Sequence, residues 1–155
     1  MADTTAPRPY VPAFTGIYGI FEPFALPLLR VAMGLILVPH GCQKLFGWFG
    51  GAGFEKFTEN FDKMGWHPAV FWVALVALTE TLGGLMLAFG FLTRFAAAAI
   101  FIFMLNAMWA TGHRGGFFWA QGGLEYSLLI GIVALVFLIR GGGRYSIDHA
   151  LGWEL

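Results

Sequence analysis

Four apolar runs, at about 24–46, 68–92, 95–111 and 124–139, leave this chain few ways to fold in water. A helix rises ~1.5 Å per residue and the hydrocarbon core of a bilayer is ~30 Å thick, so ~20 apolar residues cross it. The first two runs reach that length. The last two, at about 17 and 16 residues, need modest tilt or snorkelling ends. The expected fold is therefore all-α: an integral membrane four-helix bundle. Only 12% of residues are charged and 58% are hydrophobic, where a soluble domain carries ~25% charge. One domain of four spans uses most of the 155 residues, which leaves no room for a soluble catalytic domain.

Several function classes drop out. Net charge is zero and no basic run exists, so nothing is present to neutralise nucleic-acid phosphates. Cys42 is the single cysteine, which excludes an intrachain disulfide and any CxxC motif. Residues 1–23 contain Pro7, Pro9, Pro12 and Pro23 and show no helical period. They read as an irregular arm with interfacial aromatics, Tyr10, Phe14, Tyr18 and Phe21. The arm lacks an apolar core of signal-peptide length, so the first span is expected to direct insertion. Residues 53–65 space Phe54, Phe57, Phe61 and Met64 on one side of a helix with charges between them. That pattern predicts an interfacial amphipathic helix. Residues 141–155 form a short tail.

Ionisable residues stand out against this background. A charge in lipid costs at least ~2.5–3.5 kcal/mol, so such residues normally face protein or a wet cavity. Arg30, Gly34, Gly41 and Lys44 share one face of the first span. Glu80 lies near the middle of the second, one turn before Gly83-Gly84, a pair that permits close helix approach. Asn106 and His113 share a face of the third, and Glu125 opens the fourth. Because the spans alternate in direction, His40, Lys44, His113 and Glu125 fall near one membrane face. Asn106 is expected ~10 Å deeper than His113, and Glu80 ~18 Å from Pro68. Together they outline a polar funnel, capped by the amphipathic segment and the Gly-Phe-Trp loop at 112–123.

Acids, histidines and an amide in a half-buried funnel suit proton-coupled chemistry on a small ligand such as a quinone. A quinone needs a polar partner at each carbonyl and a proton route on reduction, and histidine titrates near neutrality. Phe46, Met108, Trp109, Phe117, Phe118 and Trp119 would suit a planar apolar ring. In this reading Glu80 with His40 or His113 handles protons, Asn106 holds a carbonyl, and Lys44 and Arg30 tune charge, with Glu125 at the mouth. The competing reading makes Glu80 the ion-pair partner of Arg30 or Lys44 and Asn106 a helix–helix hydrogen bond. No spacing motif for haem or a metal accompanies the histidines, so no metal site is expected.

The string His40-Gly41-x-x-Lys44-Leu45-Phe46, then Glu80-x-x-Gly83-Gly84-x-x-Leu87-x-x-Gly90-x-x-Thr93-Arg94, then Gly116-Phe117-Phe118 and Gly123-x-Glu125-Tyr126, resembles the DoxX family. The likeness runs from about 29 to 148. It implies a small four-helix integral membrane protein, with the matching polar residues His40, Lys44, Glu80, Arg94 and Glu125. Some members of the wider family are similar to membrane subunits of thiosulfate:quinone oxidoreductase. The resemblance thus implies at most a subunit of a quinone-linked enzyme, working with a separate electron-transfer protein. The alternative is a structural or assembly subunit of a larger membrane complex; a small transporter is a third reading, with no inverted repeat to support it. Membrane lipid and a protein partner in such a complex are the expected contacts. The expected location is the bacterial inner membrane. Five Lys or Arg residues on the side of the termini against four on the other favour cytoplasmic termini.

Overall fold

A computed structural model describes residues 10–153. Every regular element among them is helical. Helix α1 runs Thr15–Phe46 and the amphipathic α2 Gly53–Lys63. Next, α3 (Ala69–Leu78), a π-turn (Thr79–Gly83) and α4 (Gly84–Phe89) form one continuous rod. Helices α5 (Thr93–Gly115) and α6 (Glu125–Arg140) are joined by the Gly-Phe-Trp loop, and a short α7 (Ile147–Leu151) closes the chain. Three helical stretches are long and apolar enough to cross a membrane: Pro12–Phe46, Ala69–Phe89 and Thr93–Gly115. At 16 residues α6 is shorter, and it lies along α5.

The expected irregular arm is helical from Thr15 onward, because Pro23 and Pro27 sit inside α1 without ending it. Proline is tolerated in apolar helices where neighbouring groups take up the freed carbonyls. The part of the arm before Tyr10 lies outside the described residues. At 32 residues α1 is ~48 Å long, more than one bilayer core. The third span is also longer than its apolar core suggested, since Thr93 and the Gly112–Gly115 end continue the helix.

Glycine decides how close α1 comes to the second rod. A Cβ on Gly84 would lie 2.8 Å from the Gly34 carbonyl oxygen, and one on Gly41 would lie 2.7 Å from that of Ala77. Both contacts are too short for any side chain, so the backbones touch there. The buried face of α1 is Arg30, Met33, Gly34, Leu37, Gly41 and Cys42. Around it Leu87, Ala97, Ile100, Met104, Ile130, Ala134 and Phe137 close the core. Outside, large apolar side chains such as Phe71, Leu75, Phe95, Ile102, Leu129 and Ile139 are exposed. A belt of that kind fits lipid and would be insoluble in water.

Candidate functional site

The Lys44 ammonium meets the Glu80 carboxylate at 2.5 Å, with side-chain exposures of 16% and 6%. Lys44 is carried on the last turn of α1, three residues past Gly41. Glu80 sits in the π-turn, a feature that recurs at functional sites. The α1 backbone packs on that turn because Gly41 has no side chain to clash with Thr81. Lys44 also donates to the His40 carbonyl at 3.3 Å, and its ammonium lies 5.5 Å from the centre of the Phe57 ring. The amphipathic α2 thus sets the Phe57 ring beside the Lys44 ammonium, a favourable cation–π arrangement. The His40 ring is 6.1 Å from that of Tyr126. Lys44, Glu80, His40 and Tyr126 therefore gather from α1, the second rod and α6 at one end of the bundle.

The other expected residues make no hydrogen bond to the pair. Asn106 donates to Ile102 O at 2.8 Å and His113 Nδ1 bonds Trp109 O at 2.7 Å, each one turn back in its own helix and exposed. Neither hydrogen-bonds the pair. Glu125 accepts from the Trp119 backbone N–H at 3.2 Å and so closes the loop before α6. Arg30 is the clearest departure. Its guanidinium donates to the Gly142 carbonyl and, at 2.6 Å, to Tyr145 O. That binds it to the C-terminal segment, fourteen residues and ~21 Å of helix from Lys44, so it does not tune charge there.

A second polar cluster therefore occupies the opposite end. Asp148 is buried and accepts from Leu92 N at 2.7 Å, Thr93 N at 2.8 Å and Thr93 Oγ1 at 2.6 Å. These are the first donors of α5, so the tail caps that helix from a distance. Sequence reasoning missed Asp148, Thr93 and Ser146, all buried. It also missed Tyr126 and Phe57 as neighbours of the pair. The signal for Phe57 was present: it lies on the apolar face of α2. Among the described residues no three His, Cys, Asp or Glu side chains stand close enough to hold a metal ion.

Fold and site together define a small all-helical integral membrane protein in which the described residues include a buried Lys44–Glu80 ion pair between helices. Residues 25–113, more than half of the chain, match the DoxX family, and the chain belongs to it. It is 31% identical over 133 residues to the uncharacterized membrane protein Rv3486 of Mycobacterium tuberculosis, covering 79% of this chain and 78% of that one. It is 29% identical over 136 residues to the inner membrane protein YqjF of Escherichia coli, covering 84% and 94%. No solved structure matches it.

Proposed function

We propose that this DoxX protein is a redox-associated subunit of a bacterial inner membrane that binds a quinone beside the Lys44–Glu80 pair. The supporting observation is that pair itself, buried between α1 and the π-turn, with the Phe57 ring beside Lys44, His40 one turn before it and Tyr126 beside His40. An ion pair that deep costs desolvation that its mutual attraction only partly returns, so a functional use is worth testing. Lys44 is the donor for one quinone carbonyl. Reduction to the quinol takes two electrons and two protons. The electrons come from a separate flavin, haem or iron–sulfur protein, and His40 and Glu80 pass the protons. Asn106, His113, Glu125 and Arg30 stand outside this smaller site.

One observation favours an assembly subunit instead. Two surface grooves among the described residues flank α2, and neither of these is lined by Lys44 or Glu80. In that case the pair is glue between α1 and the second rod. The composition of the particle purified from native membranes in mild detergent separates the readings. Co-purification of a redox protein with stoichiometric quinone supports the redox subunit. A large non-enzymatic partner without quinone supports assembly.

A further inference from the structure

We propose that the groove between α2 and the C-terminal end of α5 binds the headgroup of one anionic phospholipid. It is lined by Phe57, Asn60, Phe61, Lys63, Met64 and Arg114 and encloses about 410 Å³. Two cations stand on its rim and no carboxylate lines it. Arg114 reaches across to α2, where its guanidinium donates to Met64 Sδ at 3.0 Å. A thioether is a weak acceptor, so most of the five guanidinium donors are left for an anion.

The charges of α2 are sorted by flank. Glu55, Glu59 and Asp62 line the opposite groove with Phe54, Thr58 and Val70, and Asp62 is engaged there by His67 at 3.0 Å. Lys63 and Asn60 fall on the flank facing Arg114. A phosphodiester fits this flank and is repelled by the other. Beside the cations, Phe57, Phe61 and Met64 supply apolar lining for the first methylenes of an acyl chain. The height is right as well: Arg114 lies in the last turn of a spanning helix, beside an amphipathic helix, where headgroups lie. A quinone has no anion to select for these cations, so the two sites select different ligands, although both touch Phe57.

The test uses the full chain in mild-detergent micelles with equal amounts of phosphatidylglycerol and phosphatidylcholine, read by native mass spectrometry. One retained phosphatidylglycerol per chain is expected, preferred roughly fivefold for each of the two cations. Lys63→Gln with Arg114→Gln should abolish the preference. Arg114→Lys should keep part of it, and Arg144→Gln at the far end should keep all of it. Both groove cations are exposed, so helix content by circular dichroism should be unchanged in every variant. Equal retention of the two lipids by the wild type would overturn the proposal. So would undiminished phosphatidylglycerol in the double variant, or displacement of the lipid by inorganic phosphate.

Discussion

Lys44 and Glu80 are 36 residues apart in sequence and 2.5 Å apart in the fold. They join the end of α1 to the π-turn, and they do so at the level where α2 covers the bundle. The contact is possible only because Gly34 and Gly41 let the α1 backbone lie against the second rod.

Removing one partner of the pair should be worse than removing both. Lys44→Met or Glu80→Leu alone leaves an unpaired buried charge, at a cost of ~3–5 kcal/mol. The double variant should recover most of that loss. Thermal unfolding of the four proteins in one detergent gives the coupling energy, and additive losses would mean that the two charges do not interact.

Glycine substitutions should divide by position. Gly34→Ala drives a Cβ into Gly84 and Ala88, an overpacking that costs ~1–3 kcal/mol. Gly16 has open space around it, so Gly16→Ala should be neutral or stabilise by ~0.5–1 kcal/mol through helix propensity. Unfolding midpoints of both variants check this, and equal midpoints would deny the close approach.

Asp148→Ala strips the cap from α5 and leaves the N–H groups of Leu92 and Thr93 without their acceptor, a loss of ~1–3 kcal/mol. The tail should loosen with it, so trypsin should cut after the exposed Arg144 faster than in the wild type. An unchanged cleavage rate would show that Arg30 holds the tail alone.

Asn106→Ala and His113→Ala should change stability by less than ~0.5 kcal/mol, because both side chains are exposed and bond only their own helix. Denaturation curves check this directly; a larger loss in either would mean that the residue contacts more than its own helix.

The membrane helices were legible because length and apolarity dictate them, and α2 because its period separates Phe54, Phe57 and Phe61 from its charges. The expected helix at 53–65 and the observed Gly53–Lys63 nearly coincide. Alternating helix direction also placed His40, Lys44 and Glu125 toward one end. Rotation about each helix axis was not legible. Periodicity puts Asn106 and His113 on one face but does not say whether that face turns inward. The bundle is packed with Ala96, Ala97 and Ile100 from α5, which turns the two polar residues out. The tail was opaque for another reason: Asp148 caps a helix that begins 55 residues earlier, and no local pattern encodes such a contact.

The most direct measurement is calorimetric titration of a short-tailed quinone into the purified protein in lipid nanodiscs. Wild type and His113→Ala should bind it saturably and alike. Glu80→Gln and His40→Ala should bind at least about tenfold more weakly, a difference of ~1.4 kcal/mol. Equal affinity in Glu80→Gln, or no saturable binding by the wild type, would contradict a quinone site at the Lys44–Glu80 pair.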